Sequence, residues 1–320
     1  MRLIPNDVCS LVFDASASTL TCHSSVEVGF HPSWIEFYTS DHSLVFAGLE
    51  QKEGKIVAIK YNDSGHGSVV GETPSGGADP CSLTATKDEL FVANYSSGTV
   101  AVLPIASHPP YFLQKPVITQ LHGSGPNTER QQSSHAHQVL LNDQYGELLV
   151  ADLGADRVYR FSQQGGVWVT QGQIQYDPGS GPRHVALHDG ALYTLLELSS
   201  LLSKHRFPPL PSAPPLIAVK PTMSNPPVAP HDIGRYHRHF SIAGDALELV
   251  AEVRTGLKHL RGMVFGGADD KWLVTGGVLG GGVKVFERID GGKGLKVIAE
   301  NDSIEAPTGF YGSRICLSNV

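Results

Sequence analysis

Residues 134–161 read SHAHQVLLNDQYGELLVADLGADRVYRF, and this stretch decides the fold. It begins with polar residues and continues as an apolar strand, a turn around Gly146, and a second apolar strand. A loop rich in glycine and aspartate then leads to a third strand with alternating residues. Apolar runs bounded by turn residues predict antiparallel strands joined by short connections. This stretch therefore contains nearly all the strands of one predicted sheet.

The same strand-turn-strand pattern occurs four more times along the chain. The five copies begin at residues 44, 90, 148, 192 and 272, so the steps between them are 46, 58, 44 and 80 residues. Repeats of roughly 40 to 50 residues with four short strands each are typical of a β-propeller. The pattern predicts equivalent strands, one per blade, at 44–49, 90–95, 148–153, 192–197 and 272–276.

Two further blades complete the predicted ring. The 80-residue step has room for one of them, and half of its strands are legible at 238–242 and 247–253. The seventh blade combines N-terminal strands at 10–13 and 20–22 with C-terminal residues 307–310, which removes free sheet edges. We therefore predict an all-β chain folded as one seven-bladed β-propeller domain over residues 1–320.

The sixth blade is predicted to be incomplete. Residues 231–239 stand where the repeat requires two inner strands, and they are too few to form them. Unpaired buried backbone groups cost about 1–3 kcal/mol each, so we expect a destabilised propeller with weak or absent activity. Two other segments break the repeat: 106–132 is predicted to be a long loop, and the proline-dense 208–230 an extended crossing over one face.

Composition narrows the possible partners. The net charge of -7, with 24 Lys and Arg against 31 Asp and Glu and no basic run, argues against nucleic-acid or membrane surfaces. The four cysteines have no metal-ligand spacing. The sequence shows neither the apolar run of a signal peptide nor a membrane span. A cytoplasmic protein with a small-molecule substrate is expected, and the sequence leaves the oligomeric state open.

A polar or proline-bearing segment precedes the first strand of each copy. Because these segments occupy one place in the repeat, ring symmetry brings them to one end of the central channel, where loops form a concave pocket. Histidine and arginine side chains are expected to converge there. The segments are 31–33, 79–81, 135–137, 181–184 and 258–261.

Several of these motifs together resemble a known family. His-Ala-His at 135–137, Ala-Asp-Leu-Gly-Ala-Asp-Arg-Val at 151–158, Gly-Pro-Arg-His-Val-Ala at 181–186 and the strand at 192–200 are similar to motifs of the seven-bladed lactonases. That family includes 6-phosphogluconolactonases and the fungal 3-carboxy-cis,cis-muconate cyclases. The resemblance covers nearly the whole chain.

The resemblance implies three catalytic residues in this sequence. The family's active-site histidine matches His137, its arginine in the Gly-Pro-Arg turn matches Arg183, and its glutamate at the end of the next inner strand matches Glu197. A second arginine is expected in a Ser-Asn-Arg-like motif of the sixth blade, and the sequence contains no such motif. Arg235 and Arg238 lie near its place, but no pattern assigns either to it.

The three residues suit chemistry on a lactone. Arg183 can hold the negative charge that builds up on a carboxylate or enolate, because its fork of donors has a fixed geometry. His137 or Glu197 can then exchange the proton. Neither a serine nor a cysteine nucleophile is required, and no Gly-x-Ser-x-Gly turn is present.

Each candidate also has a structural explanation. His137 could cap the start of its strand, Arg183 could join an ion pair between blades, and Glu197 needs a partner if it is buried. His135 is more readily structural than catalytic. The cluster of His231, Asp232, His237 and His239 matches no familiar ligand spacing, so a solvated loop is favoured over a metal site.

We therefore expect a lactonase that hydrolyses a small anionic sugar lactone, as 6-phosphogluconolactonases do, with no cofactor and no metal. The first alternative is a 3-carboxy-cis,cis-muconate cyclase, which needs the same anion clamp and proton carrier. The second is a catalytically silent propeller that binds proteins. Platforms of that kind commonly carry Gly-His and Trp-Asp pairs in each blade, and this chain repeats neither pair from blade to blade.

Overall fold

The computed structural model describes residues 6–222, 236–305 and 307–308. Within these ranges the chain forms β-strands, joined by loops and by two short 3-10 turns at Ala268–Asp270 and Asp290–Gly292. The first twelve strands are β1 (Asp7–Asp14), β2 (Thr19–Glu27), β3 (Pro32–Phe37), β4 (Leu44–Leu49), β5 (Lys55–Tyr61), β6 (Gly67–Pro74), β7 (Pro80–Ala85), β8 (Glu89–Asn94), β9 (Thr99–Pro104), β10 (Val117–Gln120), β11 (Ala136–Asn142) and β12 (Glu147–Asp152). The others are β13 (Arg157–Gln164), β14 (Val167–Gln175), β15 (Pro182–His188), β16 (Ala191–Leu196), β17 (Leu201–Arg206), β18 (Leu216–Pro221), β19 (Tyr236–Ser241), β20 (Glu248–Arg254), β21 (Lys258–Gly266), β22 (Trp272–Gly280), β23 (Val283–Ile289) and β24 (Gly294–Asn301).

Five antiparallel sheets of four strands follow one another along the chain. Each consists of four consecutive strands: β3–β6, β7–β10, β11–β14, β15–β18 and β21–β24. The first strands of the first four sheets, β3, β7, β11 and β15, contact one another in order, which places them around a common centre. Sheets arranged radially in this way form a β-propeller.

The predicted repeat is confirmed for all five copies. The segments expected to be equivalent are β4, β8, β12, β16 and β22, and each is the second strand of its four-stranded sheet. The apolar runs at these positions have a physical cause. Every residue of β4 and of β12 is buried, because both faces of the sheet are covered by neighbouring sheets.

The complete seven-bladed ring that we predicted is only partly visible. In the described ranges five blades have four strands, and the sheets β1–β2 and β19–β20 have two strands each. The half blade predicted from 238–242 and 247–253 is the pair β19–β20. Residues 231–235 and 309–310, on which the short sixth blade and the C-terminal closure depend, lie outside the described residues.

Apolar side chains pack between neighbouring sheets. Between the first two complete blades, Leu44 and Phe46 of β4 meet Leu83 of β7 and Leu90 of β8, all of them fully buried. Burying a side chain of this size stabilises the fold by about 1.5–3 kcal/mol. No single blade could bury its faces alone, so the core is distributed around the ring.

One end of the ring is built by the same turn in four blades. The residue that follows the second strand donates its backbone N–H to the carbonyl of the residue directly before the first strand. The N···O distances are 2.8 to 3.0 Å. We call this end the channel mouth. The donor and acceptor pairs are Glu50 and His31, Tyr95 and Asp79, Leu153 and His135, and Glu197 and Gly181.

A β-bulge follows directly in the first strand of each complete blade. In β15, for example, Pro182 pairs with Leu196 and His184 pairs with Leu195, so Arg183 is an extra residue. A bulge of this kind redirects a side chain relative to the regular sheet. The bulged residues of the first four complete blades are Ser33, Cys81, His137 and Arg183.

The described part of the proline-dense segment, residues 208–222, is anchored to the blade β11–β14. The fully buried Arg160 donates to the Glu147 carboxylate through Nε and Nη2, both at 2.8 Å. Its guanidinium also donates to the carbonyls of Pro208 and Ser212 at 2.8 Å. The segment was predicted to cross a face of the fold, but its residues 216–221 form β18, the outermost strand of their sheet.

Candidate active site

His137 and Arg183 occupy equivalent positions in neighbouring blades. In β11, Ala136 pairs with Asp152 and Gln138 pairs with Ala151, so His137 is the bulged residue, as Arg183 is in β15. Both side chains therefore begin at the channel mouth. The repeat explains why residues 46 positions apart come to the same end of the fold.

Glu197 lies at the same mouth, in the turn that closes its blade. It follows β16 directly, and its N–H donates to the carbonyl of Gly181 at 2.8 Å. Gly181 has a φ of 62°, a left-handed conformation that favours glycine. The Oε2 atom of Glu197 accepts a hydrogen bond from Nη1 of Arg183. The structure thus joins two of the three residues predicted from the sequence in one ion pair.

A third charged group completes this pair. Arg130, from the loop before β11, donates to the other carboxylate oxygen of Glu197, Oε1, at 3.1 Å. Arg130 also donates to the Tyr95 hydroxyl through Nε and Nη2, both at 3.3 Å. The two guanidiniums share one carboxylate, so the trio carries a net positive charge. Such a site favours an anionic ligand.

The imidazole of His137 is packed among rings beside the charged trio. The residue is 5% exposed, and its ring centroid lies 5.5 Å from that of Tyr95 and 5.3 Å from that of His184. The His184 ring in turn meets the Trp34 ring at 6.2 Å, edge to face. The Nδ1 atom of His137 is buried and has no hydrogen-bond partner among the described residues.

Burial and positive charge keep these imidazoles neutral. Burial lowers the pKa of His137 well below its usual value, and the charge on Arg183 lowers it further. Burial, followed by the charge on Arg183, lowers the pKa of His184 to about 3. A neutral imidazole keeps a nitrogen lone pair that can accept a hydrogen bond or a proton, although the lowered pKa makes His137 a weaker base than a free histidine.

Glu197 is held in the opposite state. Burial by itself would raise the pKa of its carboxyl group, but the guanidiniums of Arg183 and Arg130 outweigh burial, and the pKa is lowered. The carboxylate is therefore ionised at neutral pH and fixes the orientation of both arginines. Of the two proton carriers that we predicted, His137 fits that role better, and Glu197 fits a role in positioning.

Three residues of this arrangement were not assigned to the site from the sequence. They are Arg130, Tyr95 and His184. Tyr95 could have been found, because it follows β8 at the repeat position that Glu197 holds after β16. Arg130 lies in a long loop and its partner is 67 residues away in the chain, so no local pattern signals the contact.

The described residues of β19 do not supply the second arginine expected from the family resemblance. Arg238, one of the two residues near its position, has its Nε 3.2 Å from Oε2 of Glu252 within the sheet β19–β20. Arg235 lies outside the described residues, as do His231 and Asp232 of the histidine cluster, and the side chain of His237 is not described. His239 contacts the carbonyl of Gly292 through Nδ1 at 2.7 Å.

In the described part of the chain, no three His, Cys, Asp or Glu side chains gather as a metal ion would require. That a catalytic metal is not needed stays a prediction of the sequence. None of the described segments is a helix long and apolar enough to cross a bilayer.

The fold and the site together define a β-propeller whose channel mouth holds two arginines on one glutamate, next to a buried histidine. The chain belongs to the lactonase family described as "Lactonase, 7-bladed beta-propeller", whose sequence profile matches residues 5–212.

Relatives agree with this assignment. The chain is 31% identical over 170 residues to the 6-phosphogluconolactonase of Bacillus subtilis strain 168, which is 51% of this chain and 48% of that protein. The chain therefore spans about half the length of the curated relatives it matches.

Solved structures share the fold over a longer range. A protein of Bacteroides fragilis, provisionally described as a 6-phosphogluconolactonase, has a TM-score of 0.81 at 22% identity and covers 94% of this chain and 92% of its own. The periplasmic gluconolactonase of Pseudomonas aeruginosa has a TM-score of 0.75 at 18% identity, with 94% and 97% covered. At these identities the likeness concerns the fold.

Proposed function

We propose that this protein hydrolyses a small anionic sugar lactone, with His137, Arg183 and Glu197 as its site. The observation that carries the proposal is the Arg183–Glu197–Arg130 trio, net positive and next to a neutral histidine. The name of the Bacillus subtilis relative supports a phosphorylated gluconolactone as the substrate.

The proposed reaction follows from the charges of these groups. His137 takes a proton from a water molecule, whose oxygen bonds to the lactone carbonyl carbon. Arg183 stabilises the negative charge that develops on the carbonyl oxygen, a contribution of about 2.7–4 kcal/mol for one well-placed donor. The ring C–O bond then breaks, and the proton on His137 passes to the released oxygen. Glu197 keeps Arg183 in place throughout.

The proposal includes the architecture. The two-stranded sheets β1–β2 and β19–β20 are proposed to be the outer halves of two further blades, which would give seven blades in one domain over residues 1–320. The support is their place in the chain: β19–β20 falls between two complete blades, and β2 packs against β6 and β24 of the first and last complete blades.

The test offers the purified protein two substrates separately. The first is 6-phosphogluconolactone at about pH 6, followed by acid release, and the second is 3-carboxy-cis,cis-muconate, followed by ultraviolet absorbance. We expect faster loss of the lactone than in buffer and no change in the muconate. Loss of the muconate alone would establish the cyclase alternative, and no reaction with either would favour the silent binding platform.

His137→Gln serves as the variant that ties turnover to this site. It removes the proton acceptor while keeping a polar side chain of similar size, and we expect a loss of roughly 10²–10⁴-fold in turnover. Arg206→Gln is the matched control, because Arg206 is exposed at the end of β17 and takes no part in the mouth.

A further inference from the structure

A second arginine occupies the position of Arg183 in another blade. In β21, Leu260 pairs with Gly277 and Met263 pairs with Thr275, so Arg261 and Gly262 together face one residue. Arg261 follows the paired Leu260 as Arg183 follows the paired Pro182. The residue before each of these paired residues has a left-handed backbone conformation, with φ of 59° at His259 and 62° at Gly181. The repeat therefore directs Arg261 to the channel mouth.

The partner of Arg261 is Glu50, which occupies the same place in the repeat as Glu197. Glu50 follows β4 as Glu197 follows β16, and its N–H makes the same turn hydrogen bond, to the carbonyl of His31 at 2.9 Å. The Arg261 Nη1 atom lies 3.7 Å from Oε2 of Glu50. The mouth thus contains two arginines on bulges, each next to a glutamate from the equivalent turn.

The second pair differs from the first in one respect. Glu197 accepts hydrogen bonds from two guanidiniums, whereas Oε2 of Glu50 is buried and has no hydrogen-bond partner among the described residues. The side chains of Arg261 and Glu50 are 23% and 18% exposed, so both charges are largely out of water. At 3.7 Å the Arg261–Glu50 contact is an ion pair without a hydrogen bond, so an entering anion can form charge-assisted hydrogen bonds with the guanidinium.

Both arginines act on the same histidines. After burial, the charges on Arg183 and Arg261 lower the pKa values of His137, of His184 and of the exposed His259. This electrostatic effect agrees with the geometry of the repeat, which places Arg261 and Arg183 on equivalent bulges at the channel mouth.

We propose that Arg261 binds a second anionic group of the substrate and makes the site select a lactone that carries a phosphate over one that does not. This inference rests on the proposed function for the place of the lactone ring. Arg183 and His137 hold the ring, and the phosphate exchanges with the Glu50 carboxylate on Arg261. A guanidinium suits this exchange, because its planar fork of donors matches two phosphate oxygens.

A purely structural role for the Arg261–Glu50 pair makes a different prediction. The pair joins β21 to the turn after β4, so a structural tie would affect stability and the binding of every ligand alike. A residue that selects phosphate affects only the phosphorylated ligand. The test therefore compares two ligands that differ by that group alone.

Calorimetric titration with 6-phosphogluconate and with gluconate provides the comparison, since both are stable acids. We expect the unmodified protein to bind 6-phosphogluconate more tightly. Arg261→Gln should weaken that binding by roughly 10–100-fold, the scale of hydrogen bonds to a charged group, and leave gluconate binding unchanged. Arg206→Gln should change neither. Equal weakening of both ligands, no change in either, or no preference in the unmodified protein would overturn the inference.

Glu50→Gln provides a second measurement if Arg261→Gln fails to fold. Removing the competing carboxylate should tighten 6-phosphogluconate binding, and unchanged or weaker binding would contradict the proposal. The outcome is separable from the proposed function. A protein that binds 6-phosphogluconate through Arg261 and hydrolyses no lactone supports this inference alone, whereas hydrolysis unaffected by Arg261→Gln supports the function alone.

Discussion

Arg183 illustrates how one residue can combine a structural role with a proposed chemical role. Its position on a bulge sends the side chain to the channel mouth, and Glu197 fixes its guanidinium there. The pair is 22% and 23% exposed, so it is largely but not fully withdrawn from solvent. After burial, the positive charge of Arg183 further lowers the pKa of the neighbouring His137.

Arg183→Ala is therefore expected to lower lactone turnover by a factor of roughly 10²–10³, the effect of losing one donor to a transition-state oxyanion. Arg183→Lys keeps the charge without the fork and should retain intermediate activity. Initial rates at saturating lactone, with the Arg206→Ala protein as control, measure both. An unchanged rate in Arg183→Ala would show that Arg183 takes no part in the mechanism.

Glu36 on β3 is expected to make the stability of the fold depend on pH. Burial raises the pKa of its carboxyl group to about 8, so the folded protein holds a proton that the unfolded chain loses above about 4.5. Stability from this group is present below that unfolded pKa and is lost as pH rises toward 8, at up to about 1.4 kcal/mol per pH unit.

Glu36→Gln should therefore raise the free energy of unfolding at pH 8 and flatten its decline between pH 5 and 8. Urea unfolding at several pH values measures this, and Glu53→Gln, at an exposed loop position, is the control. A decline of the same slope in Glu36→Gln would show that another group causes it.

At the scale of elements, the segment after β17 depends on one buried ion pair. Arg160 and Glu147 are 1% and 2% exposed, and Arg160 also lies 4.4 Å from the Phe207 ring centroid. The backbone N–H of Leu210 donates to the same Glu147 carboxylate at 2.9 Å. Residues 207–215, between β17 and β18, form no strand, so these contacts help to determine where they lie.

Arg160→Met should lower the free energy of unfolding by about 3–5 kcal/mol, because the Glu147 carboxylate is then buried without a partner. The double change Arg160→Met with Glu147→Leu should recover part of that loss. Lys55→Met is the comparison, since the Lys55–Glu72 pair is exposed and worth less than about 1 kcal/mol. If Arg160→Met costs no more than Lys55→Met, the anchoring role is wrong.

The elements also show what the sequence could predict. Second strands such as β4 and β12 were predicted to within about a residue, because burial on both faces leaves a continuous apolar run. The place of His137 and Arg183 followed from the repeat. The contact between Arg130 and Glu197 did not, because it depends on the path of a long loop and not on periodicity. β18 was missed as a strand because an outer strand has only one neighbour to pair with and can contain proline.

At the scale of the whole molecule, the sheet β19–β20 marks a place where the described part of the ring is incomplete. Among the described residues it has two strands, whereas the five complete blades have four. On β21, the first strand of the next blade, Met263 and Phe265 are 48% and 41% exposed, whereas the apolar Val139 of β11 is 1% exposed. Apolar side chains on a first strand are buried where complete blades flank them on both sides.

Grafting a complete blade tests whether the short join weakens the protein. Replacing residues 231–235 with two inner strands from a related complete propeller, so that β19 (Tyr236–Ser241) is kept, should raise both the melting temperature and lactone turnover. Covering Met263 and Phe265 would recover roughly half of the about 1.5–3 kcal/mol that full burial of each side chain contributes, and each kcal/mol raises melting by about 2–4 °C in a chain of this size. Turnover should rise because a closed wall excludes water from the channel mouth and strengthens the interactions of the charged groups of Arg183 and Glu197.

Thermal unfolding and initial rates of the parent and the graft are the measurements. The same graft carrying His137→Gln is the control that shows whether any gain in turnover uses the proposed site. If neither melting nor turnover improves, the short join is an adapted feature of this protein, and the expectation of a weakened propeller is wrong.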